Sequence, residues 1–226
     1  MKSRMLGYLS LFALIFTSIW LILLIAGRFS AGSLDTYESV MANVSKLELT
    51  YYLGYINAAI TVFAATLLFT GLYLYCKLFA PDLALMGMVF VPVYTTLNLF
   101  VYFSQIAIVP ELILQRQLPE LQAITDLLLR QLLQQWPFSG AAFFNNLANA
   151  ILGIPSIIFG MVLFKNNPTL KLAGLLLGLN GVACGVGFVG ILLKNPLLSN
   201  GSGVGGVLFL LALIELSRNF LRKKFG

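Results

Sequence analysis

The side chains that could do chemistry in this 226-residue chain are mainly neutral amides and hydroxyls set inside apolar runs. Thr95, Asn98, Tyr102 and Gln105 recur at steps of three and four, so one helix face carries them all. Asn57 and Thr61 form a second pair four apart, and Asn146 and Asn149 a third set three apart. At 1.5 Å rise per residue, Asn57, Asn98, Gln105, Asn146 and Asn149 all fall within roughly 16 Å of one end of their apolar runs. Asn57, Asn98, Tyr102, Gln105, Asn146 and Asn149 are therefore candidate ligand-binding residues. Such a set hydrogen-bonds a neutral or amphipathic molecule and moves no protons. The competing reading is structural. Buried amides tie apolar helices together at roughly 0.6 kcal/mol each and at most about 2. Glue pairs amides across helix seams, whereas a pocket leaves several of them unpaired.

Ionisable chemistry is sparse. Histidine is absent, which removes the commonest general base and the commonest metal ligand. Ser-His and Cys-His catalysis, His-ligated haem and His-based zinc are excluded. Glu215 is the one carboxylate placed well inside an apolar run, and intramembrane acids are functional candidates by default. Arg218 and Asn219, three and four residues on, offer it local partners and make a structural ion pair the simpler expectation. Cys76 and Cys184 fall at the end of one run and the middle of another, so no disulfide is expected between them. No catalytic residues, metal site or cofactor are expected, and an enzyme is the least supported function class.

These residues need elements to hold them, and the composition names the class. The chain is 59% hydrophobic and 10% charged, with a mean hydropathy of +0.93. A soluble domain is about 25% charged, so a soluble enzyme and a disordered chain are both excluded. The expected fold is all-α: a single integral membrane domain, residues 1–226, built as a polytopic helix bundle. Six runs reach the roughly 20 residues needed to cross a bilayer. They are 6–27, 51–76, 83–109, 138–164, 170–193 and 203–221. The first follows Lys2 and Arg4 as a signal peptide would. Its apolar core is longer than the roughly 15 residues of a signal, so an uncleaved helix is expected.

Orientation follows the bias of Lys and Arg. Lys2, Arg4, Lys77, Lys165, Lys171, Arg218, Arg222, Lys223 and Lys224 share one side; Arg28, Lys46, Arg116, Arg130 and Lys194 share the other. Asp35, Glu38, Glu48, Glu111, Glu120 and Asp126 join the second group. Both termini are expected to be cytoplasmic. The formal charge of +6 thus reads as topology and not as nucleic-acid binding. The sequons at Asn43 and Asn200 fall on the outer side.

Residues 111–136 do not span. Leu114, Leu118, Leu121, Ile124, Leu128 and Leu132 recur at helical spacing, with Arg116, Asp126 and Arg130 on other faces. This is the pattern of an amphipathic interfacial helix, which Pro119 divides into two short pieces. Asp126 and Arg130, four apart, are placed to pair. The segment reads as a connector sealing the outer face, a lid over a pocket, or a partner-binding helix. Within the bundle, Ser139, Ala142, Asn146, Asn149, Gly153, Ser156 and Gly160 form one small-residue stripe. Gly174, Gly178, Gly181 and Gly185 form another, so helices four and five are expected to pack closely. Gly187 and Gly190, and Pro155, are expected to loosen or bend those helices.

The stretches Asn98–Pro110 and Ile151–Gly160 resemble a group of uncharacterised six-span prokaryotic membrane proteins. That likeness covers spans two to five and implies a prokaryotic plasma-membrane location with no activity or site residue attached. The first and second halves of the chain show no internal duplication. The expected function is a non-catalytic accessory, scaffold or regulatory subunit. The alternative is a binder or transporter of a neutral or amphipathic small molecule. The partners implied are the lipid bilayer and another membrane protein or such a ligand.

Overall fold

A computed structural model describes residues 3–31 and 36–222. Of the charged residues counted above, Lys2, Asp35, Lys223 and Lys224 lie outside these, as does the side chain of Arg28. Every regular element among the described residues is helical. Six helices are long and apolar enough to cross a membrane, which is compatible with an integral membrane protein.

The long helices are α1 (Ser3–Ala31), α3 (Leu49–Cys76), α4 (Pro81–Phe103), α7 (Gly140–Asn166), α8 (Lys171–Leu192) and α10 (Gly201–Arg222). Four short helices, α2 (Tyr37–Val44), α5 (Val109–Gln115), α6 (Gln122–Leu132) and α9 (Pro196–Ser199), fill the connections at the end of the bundle away from the termini. Helices adjacent in sequence pack side by side, α1 on α3, α3 on α4, α4 on α7, α7 on α8 and α8 on α10. The ring closes where α10 packs on α1. A methyl group on Gly7 would sit 2.8 Å from the Leu221 side chain and 3.2 Å from its main-chain nitrogen, so the two helices approach closely near the start of α1.

The two ends of the ring are filled differently. Toward the termini, Phe69 of α3 lies 6.0 Å from Phe159 of α7 and 6.2 Å from Phe209 of α10, ring centre to ring centre. Leu68, Leu72, Leu163, Leu177, Leu213 and Phe220 complete this core, all essentially inaccessible. At the capped end the buried residues are Tyr55, Tyr94 and Tyr102 with Ala58, Ala59, Ala141 and Ala148.

Several boundaries differ from the sequence reading. The gap between the first two expected spans holds a helix, Tyr37–Val44, started by a reciprocal cap between Thr36 and Ser39. The third span does not stop at Val109. It runs from Pro81 to Gln115 as one rod, so the first part of the expected interfacial segment belongs to the span. The rod survives because residues 104–108 take a π turn, in which the Val109 amide donates to the Ser104 carbonyl. Pro110 has no N–H to continue the α ladder, and the wider turn absorbs that loss. The chain breaks at residues 116–121, around Pro119, and the separate surface helix is α6. Asp126 and Arg130 do not pair with each other. Asp126 takes Arg116 of the α5 C-cap, and Arg130 turns to Glu38 of α2 at 3.7 Å.

The glycines divide by direction. A methyl group on Gly160 would lie 2.5 Å from the Gly174 carbonyl oxygen, and one on Gly174 would lie 2.6 Å from that of Gly160. Gly153 and Gly181 meet in the same way one level up. Gly187 and Gly190, expected to loosen α8, instead let the α9–α10 corner approach. Their added methyls would strike the backbone of Ser202 and Ser199. Gly178 and Gly185 face open space.

Candidate functional site

The six amide and hydroxyl candidates do not form one pocket. Gln105 is fully buried and its side chain is saturated. Its amide nitrogen donates to the Leu132 carbonyl at 2.7 Å and to Ser104 Oγ at 3.2 Å, while its oxygen accepts the Gln134 amide at 3.2 Å. The π turn frees the Gln105 main-chain carbonyl from Val109, and the Tyr51 hydroxyl takes it at 2.8 Å. Gln105 therefore rivets the end of α6 and the start of α3 onto α4. Asn57 donates to the Phe16 carbonyl at 3.1 Å, joining α3 to α1. Asn146 donates to its own Ala142 carbonyl and accepts from Ser202 Oγ at 3.2 Å, which places it at the α7–α10 seam. Asn149 lies half-buried one turn along α7 from Asn145.

Asn98 and Tyr102 do come together, and with residues that the spacing argument passed over. Tyr94, Asn98 and Tyr102 occupy successive turns of α4, exposed by 5, 1 and 8%. The Tyr94 hydroxyl lies beside the Asn98 amide, and the Tyr55 hydroxyl beside the amide of Gln135. Tyr55 and Tyr102 rings are 6.2 Å apart. On α7, Ala141 and Ala148 pack into this cluster, and Asn145 shares their face at steps of four and three. Three amide oxygens here, Asn98 Oδ1, Asn145 Oδ1 and Gln135 Oε1, are buried without a protein donor. A buried acceptor left unpaired costs about 1–3 kcal/mol, and three of the five such side-chain atoms among the described residues are these amide oxygens. The signal for Asn145 is its shared face with Ala141 and Ala148, one position away from the small-residue stripe through Asn146.

Glu215 is held locally. Arg218 Nη1 reaches its Oε1 at 3.4 Å, and Asn219 donates to its Oε2 at 3.2 Å and to its main-chain carbonyl at 2.8 Å. Arg218 is more than half exposed, so the group is a surface clasp along α10. Cys76 and Cys184 are both buried free thiols. Cys184 faces α10, where a methyl on Gly205 would touch its sulfur.

Two concavities lie elsewhere. One is an apolar groove of about 460 Å³ on the outward side of α7 and α8, with Gly153, Ile154, Gly181, Gly185, Val186 and Val189 in its walls. The other is a charged cleft of about 330 Å³ in the cap, between α2 and the α5–α6 corner. Around it the Arg130 guanidinium carbon lies 4.0 Å from the Tyr37 ring centre, and the Tyr37 ring packs edge-on to Trp136 at 5.8 Å. Burial, then the charge of Asp126, raises the Tyr37 hydroxyl above its usual range. The hydrogen bond to Asp126 likewise holds the Arg116 guanidinium more firmly charged.

Comparison with family models, with curated proteins and with solved structures found no match, so the geometry of the chain itself carries the functional reading.

Proposed function

We infer that the chain is a non-catalytic membrane subunit that docks a transmembrane helix of a partner protein along its α7–α8 face. The observation behind this reading is the outward groove on α7 and α8, in which Gly185 lies among Val182, Val186 and Val189. Gly185 has nothing within 4 Å of where its Cβ would lie, and neither does Gly178 two turns before it. Val182, Val186 and Val189 flank them, 54, 41 and 47% exposed. Glycines allow a neighbouring helix to approach closely in lipid. Valines add contact area at little entropic cost, because their χ1 is already fixed in a helix. The basic residues gathered at the termini's end of the bundle support a cytoplasmic side for both termini, and the resemblance to prokaryotic membrane proteins supports a prokaryotic plasma membrane.

The test is a photo-crosslinker at Val186 in native membranes, compared with the same probe in a Gly185→Phe background. A discrete protein adduct at Val186 that Gly185→Phe abolishes, at unchanged Tm, supports the reading. Adducts to lipid alone overturn it, as does purified chain in liposomes that converts or carries a substrate unaided.

A second reading rests on the three unpaired oxygens around Tyr55, Tyr94 and Tyr102. They suit a small neutral hydrogen-bond donor bound in the capped half of the bundle.

A further inference from the structure

The cleft in the cap has more hydrogen-bond donors than its own residues use. Arginine carries five N–H groups. Arg116 spends its Nε on Asp126 Oδ1, and no described residue takes the four hydrogens on its two terminal nitrogens. Arg130 holds its guanidinium carbon 4.0 Å from the centre of the Tyr37 ring. It makes a loose ion pair with Glu38 at 3.7 Å, longer than a hydrogen bond. Glu38 itself is 77% exposed, and Ser45 adds a hydroxyl to the same cleft. Two guanidinium groups thus face the cleft with N–H groups that no described residue takes, and the mostly exposed Glu38 carboxylate is only loosely paired with Arg130. The sum of charges is zero, yet the two signs are spatially separated.

The geometry points to a binding site for a phosphate ester that also carries an ammonium group, the headgroup chemistry of a zwitterionic lipid. Planar guanidinium groups match phosphate oxygens in pairs, and the Glu38 carboxylate takes the ammonium. The placement suits a lipid source. Beside the cleft, α6 turns Ile124, Leu127 and Leu128 outward, exposed by 60, 63 and 43%. A leucine face next to a charged cleft is what a helix presents at the boundary between headgroups and acyl chains. The Arg116–Asp126 pair stays intact on binding and serves as the fixed wall. Tyr37, which donates to the Asp126 main-chain carbonyl at 3.3 Å, braces it.

The experiment uses the full chain, delipidated in a non-ionic maltoside. It is titrated separately with phosphatidylethanolamine, phosphatidylglycerol, O-phosphoethanolamine and inorganic phosphate, and read by native mass spectrometry and Tm. Phosphatidylethanolamine is expected to bind at least fivefold tighter than phosphatidylglycerol and to raise Tm. Arg130→Gln should weaken it tenfold or more. Glu38→Gln should remove the preference over phosphatidylglycerol while leaving the Tm of the lipid-free chain unchanged, since that side chain is mostly exposed. O-phosphoethanolamine binding as tightly as the lipid would assign the site to a soluble ester of the same chemistry. The proposal is overturned if the two lipids bind alike, if inorganic phosphate competes as well as the ester, or if Arg130→Gln lowers Tm without changing lipid binding. The last result would make the cluster a clasp between α2 and α6 and nothing more.

Discussion

The two halves of this bundle solve the same packing problem with different materials. Toward the termini, Phe69, Phe159 and Phe209 fill the axis, and glycines bring backbones into contact at Gly160–Gly174. At the capped end, tyrosines fill the axis and amides tie the seams, with Gln105 saturated and Asn98, Asn145 and Gln135 each left with an unpaired oxygen. The first half gains stability from dispersion and close approach. The second accepts a polar penalty, and that is where a ligand, a water or a moving part has something to gain. The contrast also separates glycines on one helix, since Gly174 and Gly181 meet the backbone of α7 while Gly178 and Gly185 face open space.

This contrast can be broken by mutation, and the largest effect belongs to the dry half. Gly160→Leu puts a side chain where even a methyl would meet the Gly174 carbonyl at 2.5 Å. It should cost about 3 kcal/mol or more by overpacking, seen as loss of the monodisperse folded chain in detergent. A folded protein with wild-type Tm would refute the close approach of α7 and α8. Next is Gln105→Leu, which strands the Leu132 carbonyl and the Gln134 amide. The expected loss is about 2–3 kcal/mol, with faster hydrogen exchange confined to α6 and the 133–136 linker. Exchange rising evenly over the whole bundle would argue against a riveted cap.

The third effect has the opposite sign. Asn98→Leu replaces an unpaired buried amide with an apolar group of similar size. Without a ligand it should be neutral or raise stability by about 1 kcal/mol, because the unmet oxygen is removed. A drop in Tm of several degrees would show that something bound in the seam completes the Asn98 hydrogen bonds. The smallest effect is that of Gly185→Ala, at an open position within α8. It should stabilise the isolated chain by about 0.5 kcal/mol through helix propensity alone. Measurable destabilisation would place Gly185 inside a seam and remove the outward groove.

Much of this architecture was legible in the residues. The six spans follow from length and hydropathy, because a segment without charges for some 20 residues has few alternatives to crossing lipid. The break near Pro119 was legible for a local reason, the missing N–H of proline. α2 was not, because eight residues with a modest pattern hold their helix only by docking Val40 and Val44 against the cap core of Leu129 and Leu133. The polar seam was half legible. Asn98 and Tyr102 lie in it, but Asn146 bonds to Ser202 of α10, while its neighbour Asn145 shares a helix face with Ala141 and Ala148, which pack against the tyrosines. Successive residues on a helix differ by about 100°, so choosing the stripe one residue away selects a different seam.

By itself, the sequence determined the class of the molecule. It specified six apolar helices, their limits to within a few residues, an inventory without histidine, and the end at which basic residues gather. Those properties are local or additive, so reading along the chain is enough. The tertiary structure decided the partners. It turned Gly178 outward and Gly174 inward, moved Asp126 from Arg130 to Arg116, saturated Gln105 and left Asn98 unpaired. Such choices depend on how each helix is rotated about its axis. That rotation is set by the fit of all neighbouring faces at once, which no single segment encodes.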